Sequence, residues 1–254
     1  MSGSTQIKMY HRLRQYTEAR IGLSTTGSSL GTEDLLKFQA DWAQARDAVY
    51  YAVDFNALAD KFADAGLSSV CVTSSAPSRA VYLRRPDLGR ALSDDGRRKL
   101  LGLKETSPDI AVVVVDGLSG LAVSEHSPSL VRAFSELAAS QNWRLSPIIL
   151  AEQGRVAIGD PIGHAVSARL TVVIIGERPG LSAADSLGVY ITYNPSNTRT
   201  DAERNCISNI RPGGQDPEAA AATMVYLIRE ALKLQVSGVQ LKDNSNLAIE
   251  SSGA

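Results

Sequence analysis

The run "RLTVVIIGERPGLSAADSLGVYITY", residues 169–193, constrains this chain more than any other. Val172, Val173, Ile174 and Ile175 follow one another with no polar break. A run that is apolar on every side predicts a strand buried on both faces, as in a parallel sheet covered by helices. Glu177 and Arg178 then stand between Gly176 and the Pro179–Gly180 pair, at the strand's carboxyl end. In open α/β sheets that end is where ligands bind.

The rest of the chain fits the same architecture. "TEDLLKFQADWAQARDAV" reads as a helix capped by Thr32, with Leu35, Phe38, Trp42, Ala45 and Val49 at helical spacing. "DFNALADKFADAGL" repeats the grammar, with Asp54 as cap, a Leu58, Phe62, Ala65 stripe and Gly66 as the stop. On this spacing Phe38, Trp42 and Phe62 are expected in the core. "SSVCVTSS" is a strand candidate, and a helix is expected from Asp94. "IAVVVVDGLS" reads as a buried strand, and Ser127 and Pro128 as the cap and first position of "SLVRAFSELAAS". "LSPIILAEQGRVAI" reads as a strand bent at Gly154, "DPIGHAVSA" as a short helix, "RLTVVIIGE" and "LGVYITYN" as strands. Asp216 and Pro217 open the long helix "EAAAATMVYLIREALKL". Strands alternating with helices predict an α/β fold: a Rossmann-like, mostly parallel sheet with flanking helices, preceded by a helical N-terminal region. The expected division is a helical region over 1–97, a Rossmann-like domain over 98–243 and a disordered tail over 244–254, with the boundary between Gly96 and Pro108.

Composition removes several function classes. A formal net charge of −1 argues against nucleic-acid binding, which needs a basic excess. No apolar run approaches the ~20 residues that span a bilayer, and the first twenty residues lack the apolar core of a secretory signal. Cys71 and Cys206 lie far apart in no CxxC arrangement, which speaks against a disulfide framework or a zinc site. These features describe a cytoplasmic protein with reduced thiols.

Four loops are expected at or near strand ends: "DGLS" (116–119), "EQGRV" (152–156), "GERPGL" (176–181) and "RNCISNI" (204–210). In a parallel sheet the first three share one edge and form a crevice. Their few charges, small polar side chains, glycines and Val156 suit a large ligand with many amide groups better than a bare phosphate. No P-loop occurs and no G-x-G-x-x-G follows a strand. His11, His126 and His164 are scattered. Asp116 and Glu177 could work as an acid and a base, which would make the chain a stand-alone α/β ligand-binding or small hydrolytic protein. They could equally be strand-end carboxylates that cap helices or meet arginines, Glu177 pairing with Arg178. Cys206 reads as a nucleophile without a base or as a packing residue. "YLRRPDLGR" (82–90) gathers its charges around a proline turn and suits a cofactor's phosphate or, by preference, a contact with another chain.

"YLRRPDLGR", "DGLS", "GRV", "IGERPGLSAADSLGVYITY" and "DAERNCISNIRPGG" resemble, in that order, the light chain of ethanolamine ammonia-lyase, over about residues 10 to 242. The resemblance implies a subunit of an adenosylcobalamin-dependent lyase that converts ethanolamine to acetaldehyde and ammonia. It implies a heavy-chain partner, a TIM barrel that performs the radical rearrangement, in a hetero-oligomer with equal numbers of both chains, and it allows a place inside a bacterial microcompartment. The light chain would be inactive alone, with no catalytic or metal-ligating residue of its own. Its cobalamin contacts would fall on Val156, Glu177 and Cys206. The first and last suit the apolar dimethylbenzimidazole; the carboxylate suits the N–H groups of the corrin's amides. No histidine here sits in D-x-H-x-x-G, which agrees with a base-on cobalamin.

Overall fold

A computed structural model describes residues 10, 12–17, 19–23, 25–104 and 107–244. The expected tail from 245 onward and His11 lie outside the described residues. A two-residue antiparallel ladder, Thr25–Thr26 with Ser29–Leu30, precedes the main body. There follow α1 (Thr32–Tyr50), α2 (Phe55–Asp64), β1 (Ser69–Thr73), α3 (Arg79–Arg84), α4 (Asp94–Leu101), β2 (Ile110–Val115), α5 (Gly120–Ser140), β3 (Ile148–Glu152), α6 (Gly159–Ala165), β4 (Leu170–Gly176), β5 (Leu187–Tyr193), β6 (Arg204–Ile210) and α7 (Pro217–Leu234).

The six strands form one mixed sheet in the order β1-β3-β2-β4-β5-β6. The first four are parallel; β5 and β6 add antiparallel, β5 through a hairpin from β4. The α/β reading holds, with an antiparallel extension on the side of β4. All six residues of β2 and all seven of β4 are buried. Their side chains divide by parity: Ile110, Val112 and Val114 pack with α2, α5 and α7 on one face, while Ala111, Val113 and Val115 pack with α4 and α6 on the other. The continuous apolar run exists because both faces are covered. β1 precedes the boundary expected near Gly96, yet it pairs with β3 along its whole length. Among the described residues no helix is long and apolar enough to cross a membrane.

Several local expectations are corrected. Thr32 is the first residue of α1, not its cap; Gly31 takes that position with no side-chain hydrogen bond. Asp54 does cap α2, accepting from the N–H groups of Asn56 and Ala57 at 3.0 Å, and Gly66 ends it at φ +74°. Pro128 does not begin a helix but lies inside α5, which Ser119 caps by accepting from the Ala122 N–H. The stripe Ala122, Val123, Leu130, Val131, Phe134 and Ala138 continues through the proline, and this burial outweighs one missing backbone bond. "LSPIILAEQGRVAI" is not one bent strand: β3 ends at Glu152 and Val156–Ile158 forms a 3-10 turn. "RNCISNI" is not a loop but edge strand β6. Phe62 is buried, but Phe38 and Trp42 are 39% and 54% exposed and Ala48 is the one buried residue given by α1. The helical spacing was right, and among the described residues no apolar element covers that stripe, only the Arg20 and Arg46 side chains over its two rings.

Candidate functional site

The site begins with two glycines. β2 and β4 are neighbours, and just past their carboxyl ends Gly117 and Gly176 meet back to back. A Cβ on Gly117 would stand 2.3 Å from the Gly176 carbonyl oxygen, and one on Gly176 would stand 2.0 Å from that of Ser119. Gly117 also adopts φ +59°, which a side chain disfavours. The Leu118 N–H donates to the Gly176 carbonyl at 3.0 Å and locks "DGLS" to "GERPGL".

Asp116 fixes the third loop. Its carboxylate accepts from the backbone N–H groups of Gly117 (2.9 Å), Gln153 (3.0 Å) and Gly154 (3.2 Å), tying the end of β2 to the end of β3. Arg79 contacts it at 3.4 Å and also donates to the carbonyls of Val49, Gly117 and Leu118. Burial pushes Asp116 up to about 6, against the opposing pull of Arg79 and the three N–H donors. Both oxygens are thus engaged inside the fold, and Asp116 does not line the crevice above it.

That crevice, about 460 Å³, is lined by Tyr82, Leu118, Arg155, Val156, Glu177 and Tyr190, with Arg178, Ile175, Gly117 and Gly176. The expected meeting of "DGLS", "GRV" and "GERPGL" at one sheet edge is therefore observed. Val156 comes from the turn after β3, Glu177 from the residue after β4. Glu177 does not pair with Arg178. Its carboxylate accepts from the Ser186 hydroxyl and from the Asn209 N–H at 3.2 Å, lying over Gly188, where a Cβ would come within 3.0 Å of it. Arg178 is exposed, and among the described residues it enters no ion pair.

Cys206 sits one strand further out. In the register of the sheet it faces Tyr190, a lining residue. Desolvation raises its thiol above the usual value, with the Tyr190 hydroxyl opposing and the Glu177 charge adding. Tyr190 is itself raised by burial first, then by Cys206 and Glu177. Val156 and Glu177 thus share one crevice, and Cys206 adjoins it through Tyr190. Sequence reasoning missed Arg79, Tyr82 and Tyr190. Tyr82 lay within the singled-out run "YLRRPDLGR" and Tyr190 within an apolar strand, where a ring is not distinguished from packing; Arg79 carried no such signal. Of "YLRRPDLGR", Tyr82 reaches the crevice, while Arg85 and Asp87 pair at 2.6 Å in solvent. His164 is exposed on α6. His126 lies 3.4 Å from Asp185, and these two with Glu125 bring ligand atoms within 4.8 Å of one another. Asp185 also holds Arg211 at 3.0 Å, a cation already in place.

The crevice suits one edge of a large, mostly uncharged ligand. Val156, Leu118 and Ile175 offer apolar wall, and Glu177 offers an acceptor. Of the lining residues, Arg155 has one buried polar atom, Nε, with no hydrogen-bond partner among the described residues.

Known proteins resemble this chain over most of its length. The family model of the ethanolamine ammonia-lyase light chain matches residues 7–242. An ethanolamine ammonia-lyase small subunit of Pseudomonas fluorescens Pf-5 is 49% identical over 238 residues, 92% of this chain and 87% of that one. One of Pseudomonas putida GB-1 is 48% identical over 246 residues, covering 95% and 90%. One of Xanthomonas campestris pv. campestris is 49% identical over 238 residues, covering 92% and 88%.

Proposed function

Because this chain belongs to the ethanolamine ammonia-lyase light-chain family, we propose that it completes the cobalamin site of an adenosylcobalamin-dependent ethanolamine ammonia-lyase. The observation that carries the reading is the strand-end crevice, which gathers Val156 and Glu177 with Cys206 alongside and contains no base-activated nucleophile. A cobalamin is far larger than this crevice, so one edge of it enters here and a heavy chain, a TIM barrel in this reading, encloses the remainder. Val156 and, beside it, Cys206 meet the benzimidazole of a base-on cobalamin; Glu177 accepts amide N–H groups. When bound, the cofactor supplies the carbon radical that starts the rearrangement of ethanolamine to acetaldehyde and ammonia. This chain binds, orients and excludes water. The two chains assemble in equal numbers, in the cytoplasm or within a microcompartment.

An independent acid–base enzyme using Asp116 and Glu177 is disfavoured by Asp116, whose two oxygens are occupied by three backbone N–H groups and Arg79. The test is co-expression with a heavy chain, followed by cofactor titration and an ammonia assay with ethanolamine. Tight cofactor binding and turnover by the pair are expected. Equal binding and turnover by heavy chain alone would remove the proposal.

A further inference from the structure

The crevice holds more positive charge than its own fold neutralises. Arg155 and Arg178 line it with a single carboxylate, Glu177, which accepts from Ser186 and Asn209 and forms an ion pair with neither arginine. Arg155 is the better placed of the two. Its backbone N–H donates to the Gly89 carbonyl at 2.8 Å, and its guanidinium lies 4.3 Å from the centroid of the Tyr82 ring. One Nη donates to the Tyr82 carbonyl at 3.3 Å, and Tyr82 is in turn anchored through its hydroxyl to the Gly154 carbonyl. Gly89 leaves room for this packing, since a Cβ there would stand 2.9 Å from Arg155 Cγ. The side chain is held, yet Nε is buried with no acceptor and no carboxylate forms an ion pair with it among the described residues. A planar, fixed guanidinium with donors to spare is the usual partner of a phosphate oxygen.

Resting on the cofactor reading above, we propose that Arg155 binds the phosphodiester of the cobalamin's nucleotide loop. The crevice then distinguishes cobalamins that carry the loop from corrins that lack it. In the base-on cofactor this phosphate is the one anionic group, whereas the corrin's amides are neutral. That phosphate would give an arginine left without a carboxylate in this crevice its counter-charge. Arg178, exposed at the rim, adds a long-range positive field and no fixed contact.

The experiment uses the assembled complex of this chain with its heavy chain, in wild-type, Arg155→Gln and Arg155→Lys forms. Each is titrated by absorbance with adenosylcobalamin and with adenosylcobinamide, which has the same corrin and neither loop nor phosphate. Chain–chain affinity without cofactor is measured alongside. Arg155→Gln is expected to weaken adenosylcobalamin roughly ten- to a hundred-fold and to leave adenosylcobinamide within about twofold, even where both forms bind it only weakly. Arg155→Lys is expected to recover part of the loss and to keep its preference for the loop. Excess inorganic phosphate should compete with adenosylcobalamin in the wild type and not in Arg155→Gln. Equal weakening of both corrins, or of neither, would overturn the assignment. So would a loss confined to chain–chain affinity, which would place Arg155 on a heavy-chain carboxylate. A wild-type complex that binds neither corrin would instead remove the cofactor reading on which the assignment rests.

Discussion

At the scale of single residues, Glu177 and Asp116 show how two strand-end carboxylates acquire different tasks. Glu177 faces the crevice with acceptor capacity left after Ser186 and Asn209. Glu177→Ala should weaken adenosylcobalamin binding by the assembled enzyme about ten- to a hundred-fold, since a charge-assisted hydrogen bond contributes roughly 1.5–3 kcal/mol. Glu177→Gln should lose less. Ser186→Ala serves as the control for local packing: it removes the internal bond and leaves the carboxylate. Unchanged affinity beside a lowered melting temperature in Glu177→Ala would reduce the residue to a tie between β4 and β6. Asp116 carries a pH signature instead. Its folded-state value of about 6 stands above its ordinary 3.8. Above 6 both folded and unfolded chains are ionised, and the cost of the buried charge is present in full. As pH falls through about 6 the folded protein takes up a proton that the unfolded chain does not, so this group adds stability between about 6 and 4, at most about 3 kcal/mol. Asp116→Asn removes that gain and turns an amide donor toward N–H donors, costing about 1–3 kcal/mol at pH 7. The gap in melting temperature between wild type and Asp116→Asn should widen from pH 7.5 to 5.5; a constant gap would refute the assignment.

At the scale of elements, α1 exposes more large apolar side chains than any other described element. It exposes Leu36, Phe38 and Trp42, with Arg20 and Arg46 stacked on the two rings. Its carboxyl end is clamped to the crevice loops, because the Val49 carbonyl accepts two bonds from Arg79 and Gly120 leaves no room for a Cβ against the Tyr51 carbonyl. An exposed apolar stripe on a helix whose end is tied to the site, with only arginines over its rings, suits a partner chain. The double variant Phe38→Gln, Trp42→Gln should make the isolated chain more soluble, shift its melting by no more than about 0.5 kcal/mol and weaken heavy-chain binding tenfold or more. Undiminished heavy-chain affinity would count against the stripe as an interface. The same helix marks the limit of legibility in the sequence. Periodicity gave the helix and its apolar face correctly, but spacing cannot say whether that face meets the chain's own core or another protein. The sheet was legible because β2 and β4 are apolar on both faces, a pattern with few other solutions. The edge strand β6 was not, because "RNCISNI" mixes exposed Cys206 and Asn209 with buried Ile207 and Ile210 around a register shift. Pro128 misled for a related reason: Ser-Pro resembles a helix start, and only the burial on both sides of it shows one continuous helix. In the site, Val156 and Glu177 were legible from their strand-end positions. Arg79 was not, since its partners are backbone carbonyls that no side-chain pattern announces.

At the scale of the whole molecule, the proposed cofactor role makes the crevice a half-site, and that proposal has a thermodynamic consequence. Its volume of about 460 Å³ accommodates only part of a cobalamin, so neither chain alone presents the complete surface. The isolated chain should therefore bind adenosylcobalamin weakly and release no ammonia from ethanolamine. The assembled pair should bind far more tightly than either component. If assembly raises cofactor affinity by some factor, cofactor must raise chain–chain affinity by the same factor, because the two equilibria are linked. A change of 1.4 kcal/mol is tenfold in each. Sedimentation or surface-binding measurements of the two chains, with and without saturating adenosylcobalamin, give one side of the cycle. Cofactor titrations of single and assembled chains give the other, and the two factors should agree. Glu177→Ala, which removes a contact to the cofactor, should reduce both factors together. The stripe variants of α1 should lower chain–chain affinity while leaving the coupling factor unchanged, because their contact is made with or without cofactor. Ammonia release by the purified single chain, or chain–chain affinity indifferent to cofactor, would show that the crevice is not shared between the two.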